Sequence, residues 1–147
     1  MWVALASMVK RYEASGTVNR LTSWMARRGW GRTEVLTTTG RKSGQRREVP
    51  VSPVEIDGAE YLVAPYGEVA WVRNARVDPN ASLQHGSKIR QVGLVEVSGG
   101  VAALAVATYY DREKFPRPYM DVPENPTKAD FEGREADFPV FRVDPRA

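Results

Sequence analysis

Eight consecutive residues, Gly40 to Arg47 (GRKSGQRR), hold four cations, one hydroxyl and two glycines. Arginine offers a planar two-pronged fork to an anion, lysine a point charge, and serine a neutral donor. Glycine lets the backbone come close to a bound oxygen. A turn of this make-up is a recipe for holding phosphate or carboxylate. Its glycine spacing is not that of a P-loop, and no GxGxxG opens a helix anywhere in the chain. Charge alone also leaves open a solvated basic hairpin turn with no ligand.

A second cluster follows, VAPYGEVAWVRNARVDP, from Val63 to Pro79. It reads as a strand end, a Gly-containing loop and a short helix. Trp71 and Asn74 are three apart, so on a helix they share a face. Taken by itself, Trp71 reads as core and Asn74 as a cap.

The elements that must position these groups come from periodicity and breakers. Trp2 to Glu13 and Val18 to Arg28 read as helices, the second with an apolar stripe at Val18, Leu21, Trp24 and Met25. Glu34 to Thr39 reads as a strand, Gly40 to Gly44 as a turn, and Arg47 to Ile56 as a second strand marked as an edge or a bulge by Pro50 and Pro53. Asp57-Gly58 signals a tight turn before a third strand, Tyr61 to Ala64. These three form an antiparallel meander. A helix is expected over 69–77, strands over 81–84 and 89–97, and an Ala-rich helix over 101–114. A proline-rich loop is expected over 115–126, a helix capped by Thr127 to about Ala136, and a last strand over 138–143. The fold class expected is α+β: about six mostly antiparallel strands in a partly open barrel, with peripheral helices. The chain reads as one domain, a helical segment over 1–31 leading into the barrel over 32–147.

Composition narrows the function classes. There are no cysteines and one histidine, His85, which argues against disulfides, thiolate chemistry and a zinc enzyme. No apolar run reaches the ~20 residues that span a bilayer. No basic residues precede the short apolar stretch at the N-terminus, so a signal peptide is not expected and the cytoplasm is the simplest location. Net charge is +3, and the basic residues crowd the first third. Neither a groove-reading motif nor aromatics interleaved with the basic residues is present, so nucleic acid is not an expected partner. The first helix carries Trp2, Leu5 and Val9 beside Lys10 and Arg11; it could lie on an anionic membrane, form a dimer contact or plug the barrel.

Together, LTTTGRKSGQRREVP and AWVRNARVDP resemble the deazaflavin-dependent nitroreductase and quinone reductase family, common in actinobacteria. The resemblance implies a flavin-reductase-like split β-barrel. It also implies a reduced deazaflavin, coenzyme F-420, whose tail carries a phosphate and several glutamates. By the family pattern Arg41, Lys42, Arg46 and Arg47 neutralise that tail around Gln45, and Ser43 and Gly44 offer donors to the phosphate. Pro50 shapes the bend where the second strand meets the tail. Val63, Ala64, Pro65, Tyr66 and Gly67 line one edge of the ring, and Ala70, Trp71 and Asn74 close over another. The cofactor is the hydride donor, so no Ser/His/Asp set and no metal are needed. Tyr109, Tyr110, Phe115, Tyr119 and Met120 would face a small hydrophobic acceptor, with Tyr119 giving a proton. Pro65 and Tyr66 stand where the nitroreductases carry a small hydroxyl residue and a lysine, a departure that bears on nitroimidazole chemistry. A flavin mononucleotide enzyme and a non-catalytic lipid or cofactor carrier are the alternatives on the same barrel.

Overall fold

The computed structural model describes residue 25 and residues 31–146. The two N-terminal helices expected from the sequence, and the membrane or dimer contact assigned to the first, lie outside the described residues.

Seven strands form one antiparallel sheet: β1 (Glu34–Thr39), β2 (Arg46–Val51), β3 (Val54–Ile56), β4 (Ala59–Val63), β5 (Asn80–His85), β6 (Lys88–Val97) and β7 (Val140–Pro145). Their order is β2-β1-β5-β6-β7-β4-β3. Helix α1 (Ala70–Val77) follows β4 and α2 (Gly100–Arg112) follows β6. A 3-10 turn (Arg117–Tyr119) and the short α3 (Lys128–Phe131) lead into β7.

The barrel of about six strands expected from the sequence has seven, because the strand expected over 47–56 is two. Proline at position 53 has no N–H to give a ladder, and the chain bends at Ser52-Pro53. The meander is corrected with it: β1 pairs β2 and β4 pairs β3, but the two pairs sit at opposite ends of the sheet. Val51 and Val54 are three residues apart, a reach of at most ~11 Å. The two edges must therefore lie close together, which curls the sheet into a barrel. Two further contacts hold the closure. The Arg112 guanidinium donates to the Ser52 and Pro53 carbonyls at 3.1 and 2.5 Å. Arg90 bridges Glu34 on β1 and Glu60 on β4, strands that are not neighbours in the sheet. Hydrogen bonding to Glu60, and then to Glu34, raises the Arg90 pKa above its ordinary value against the opposing effect of burial.

The residues of β4 face two cores in alternation, as strand geometry requires. Leu62 joins Leu36, Leu83, Val92, Leu94 and Phe141 inside the barrel. Tyr61 and Val63 pack with Ala102, Ala105, Val106, Phe131 and Phe138 beneath α2. The alanine run of α2 lets that helix lie close on the sheet. Asp57 and Gly58 both take positive φ (51° and 80°), the tight turn read from the sequence. Thr127 and Asp130 form a reciprocal capping box, but α3 stops at Phe131 rather than near Ala136. Glu132 is already extended and Gly133 has φ 73°.

Candidate functional site: a basic turn and an apolar cavity joined by one strand

The basic turn connects β1 to β2. The Gly40 N–H donates to the Gln45 carbonyl at 2.7 Å, and the Gly44 N–H to the Gly40 carbonyl at 2.8 Å. Ser43 Oγ accepts from the Gln45 N–H at 3.2 Å. Glycine is required twice. A Cβ on Gly40 would stand 2.6 Å from Ser43 Oγ, and Gly44 has φ 69°. The Gly44 amide is thus used within the turn, while the Ser43 hydroxyl hydrogen stays free to donate.

Lys42, Ser43, Gln45, Arg46 and Arg47 are exposed, and Arg41 is half-buried. Several arginines elsewhere sit on carboxylates: Arg76 on Glu68 and Glu96, Arg134 on Asp137, Arg142 on Asp144. Among the described residues no carboxylate pairs with Arg41, Lys42, Arg46 or Arg47. The four do not share one face. The Arg47 stem packs over Gly40, its Cγ 3.5 Å from where a Cβ would be, and strand alternation turns Arg46 to the opposite side of β2.

Asn74 fixes the turn from α1. Its Oδ1 accepts from the Arg41 N–H at 3.1 Å and from the Arg41 guanidinium at 2.9 Å. Its Nδ2 donates to Thr38 Oγ1 at 3.3 Å. Asn74 is 2% exposed, so its polar ends are spent inside the protein. Trp71, one turn earlier on the same buried face, packs on Phe141 with ring centroids 5.4 Å apart.

At the other end of β2 lies a cavity of about 350 Å³. Of the residues the sequence assigned to the coenzyme ring, Val63, Pro65, Tyr66 and Trp71 line it, and so does Pro50, which the sequence had assigned to the bend beside the tail. Ala64, Gly67, Ala70 and Asn74 are not in its lining. Ala64 is fully buried, with its N–H on the Pro139 carbonyl. Gly67 turns the loop at φ 89° and Ala70 is exposed. On the acceptor side, Tyr109 and Phe115 line the cavity. Tyr119 stands behind the wall, edge-on to Tyr66 at 5.7 Å and 6.2 Å from Phe115. Tyr110 sits under the Arg117 guanidinium, and Met120 belongs to the core below α2.

The sequence reading missed Thr33, Ser52 and Glu113 in this lining. Ser52 carried one usable signal, its place beside the proline that breaks the strand. Glu113 carried none, because the end of α2 reaches the barrel bend only through the tertiary fold. His85 ends β5, its ring nitrogen 3.0 Å from the Gly31 carbonyl. Among the described residues no three acidic or histidine side chains gather as a metal site, and no helix is long and apolar enough to cross a membrane.

The family model for F-420H(2)-dependent quinone reductase matches residues 7–126, a span that contains both the turn and the Trp71 helix. The chain belongs to that family. Membership makes it an F-420-dependent reductase of the split-barrel type. Among solved structures it is similar to an F-420-H2 Dependent Reductase (FDR-A), at 28% identity and TM-score 0.50, covering 77% of this chain and 94% of that one. A protein solved as a domain-swapped dimer is 25% identical with TM-score 0.51, covering 92% of this chain and 98% of that one. A pyridoxamine 5'-phosphate oxidase homologue from Listeria innocua has the same fold at 10% identity and TM-score 0.52, covering 80% and 86%.

Proposed function

We propose that this reductase passes a hydride from reduced F-420 to a small apolar quinone, with the coenzyme tail on the basic turn and its ring in the cavity. The carrying observation is the division of labour along β2. Cations without carboxylate partners among the described residues stand at its start and an apolar cavity at its end, about 20 Å apart for a strand of this length. That separation suits an elongated coenzyme with an anionic tail and a flat apolar head.

The residues present fit the group. Arg41, Lys42, Arg47 and the Ser43 hydroxyl would hold the phosphate and glutamates. Pro50, Val63, Pro65, Tyr66 and Trp71 would hold the ring. When bound, the reduced deazaflavin supplies the hydride. The chain has to orient the acceptor against it and exclude water. Tyr109 places a phenol in the cavity lining as a candidate proton source, whereas Tyr119 supports Tyr66 from behind.

The test is titration calorimetry with F-420 and with flavin mononucleotide, followed by turnover of reduced F-420 with menadione. Tighter binding of F-420 and measurable turnover support the reading. Equal or tighter binding of flavin mononucleotide at physiological salt would overturn the choice of coenzyme.

A further inference from the structure

We infer that Glu113 makes the acceptor end of the cavity electrostatically negative, so that it selects neutral or cationic quinones and rejects anionic ones. The inference rests on the proposed reduction at this cavity and names the class of acceptor.

Among the described residues Glu113 is the one acidic or basic side chain in a lining otherwise built of Thr33, Ser52, tyrosines and apolar residues. Its side chain keeps 26% of its surface open. Its neighbour Arg112 forms an ion pair with it and offsets its charge only in part. The Arg112 Nε reaches one carboxylate oxygen at 3.3 Å, a long contact, while the far side of the guanidinium serves the Ser52 and Pro53 carbonyls. No other described group bonds to the carboxylate. Arg112 lines a separate groove with Pro53 and Arg90, on the opposite side of the bend. The pair therefore straddles the wall, with its negative end in the cavity and its positive end outside.

The position along β2 adds the second half of the argument. The basic turn precedes Arg46, and Glu113 stands near Ser52, just past the other end of the strand. An elongated anionic coenzyme is drawn to the first end and repelled from the second. The same field that sets the coenzyme's direction acts on the acceptor. A charge of either sign near Glu113 feels it through a partly apolar wall, so the effect on affinity is about fivefold in each direction.

The experiment uses the full chain and three naphthoquinones with one core: menadione, a sulfonated derivative and a quaternary ammonium derivative. Binding without coenzyme is read by quenching of protein fluorescence, since Trp71 lines the cavity; turnover with reduced F-420 is read separately. Wild type should bind and reduce them in the order cationic, neutral, anionic, with about fivefold steps. Glu113→Gln should compress the order toward equality, and Glu113→Asp, which keeps the charge, should preserve it. Raised salt should shrink the wild-type spread. An unchanged spread in Glu113→Gln, or an anionic quinone preferred by wild type, overturns the inference. Ordered binding with no turnover would sink the quinone as the acceptor and leave the charge selection standing. Failure of all three quinones to bind would remove both.

Discussion

Asn74 grips Arg41 twice, by its backbone N–H at 3.1 Å and by its guanidinium at 2.9 Å, both on the same Oδ1. The helix that carries Trp71 into the cavity therefore also sets the first cation of the turn. Replacing Asn74 by leucine keeps the volume and removes every bond. Affinity for tailed F-420 should fall by about 1–3 kcal/mol, with a comparable loss of folding stability because Thr38 also loses its partner. Calorimetry and thermal unfolding check this. Unchanged tail affinity would show that Arg41 does not depend on the helix.

Lys42→Ala and Arg47→Ala should each weaken F-420 binding by about 1–3 kcal/mol while the fold stands, since both side chains are exposed. The loss should shrink as salt rises, because exposed charges are screened over ~10 Å at 0.1 M. Coenzyme with its glutamates removed should be less sensitive. Normal binding by both variants would make the turn a solvated hairpin.

Trp71→Ala should lose affinity for tailed and tail-less coenzyme alike, at every salt concentration, because its contribution is apolar. It should also destabilise the fold by about 3–5 kcal/mol, since the indole fills the barrel core against Phe141. Trp71→Phe separates the two effects. A phenylalanine variant that restores stability but not ring affinity places the tryptophan at the ring.

Gly40→Ala offers a test of the turn without touching a charge. The added methyl would meet Ser43 Oγ at 2.6 Å and the Gln45 carbonyl at 3.2 Å. The turn must open, so F-420 affinity should drop by about tenfold or more, roughly the ~1.4 kcal/mol of one misplaced contact. The thermal midpoint should fall modestly as well, since Gly40 is buried and the half-buried Arg41 beside it is held by Asn74. Full affinity in this variant would mean that turn geometry is irrelevant to binding.

Tyr119→Phe should leave turnover nearly unchanged, because its ring packs behind Tyr66 outside the cavity lining. Tyr109→Phe should lower turnover and spare coenzyme affinity. A large loss in Tyr119→Phe alone would return the proton to Tyr119.

Local chemistry explains which parts of this molecule could be read from its residues. Glycine and proline mark the turns at Gly40 to Gly44 and Asp57-Gly58, and the strands between them follow. Trp71 and Asn74 share a buried face because a helix repeats that way. Pro53 announced a defect in the second strand, but a defect does not say where the two halves go. Their placement at opposite sheet edges depends on β4 pairing with β7, which no local pattern encodes. Glu113, Thr33 and the position of Tyr119 behind Tyr66 were hidden for the same reason: each follows from segments far apart in sequence.

The pairing of Val63 with Val140 spans 77 positions, from residue 63 to residue 140. Strand β7 lies between β6 and β4, so among the described strands it is the one that hydrogen-bonds β6 to the pair β4–β3 through the sheet. As the chain leaves the ribosome, β1, β2, β5 and β6 can zip into a ribbon from neighbouring hairpins. The cavity-lining strand β4 has only the three-residue β3 beside it until residues 140–145 appear. Such long-range closure is slow, because loop entropy is spent before the contacts return it. The cavity should therefore be the last part of the barrel to form, and nascent chains that stall before β7 should expose an unpaired edge of β4. Cells should meet this protein as a substrate for holding chaperones before they meet it as a reductase.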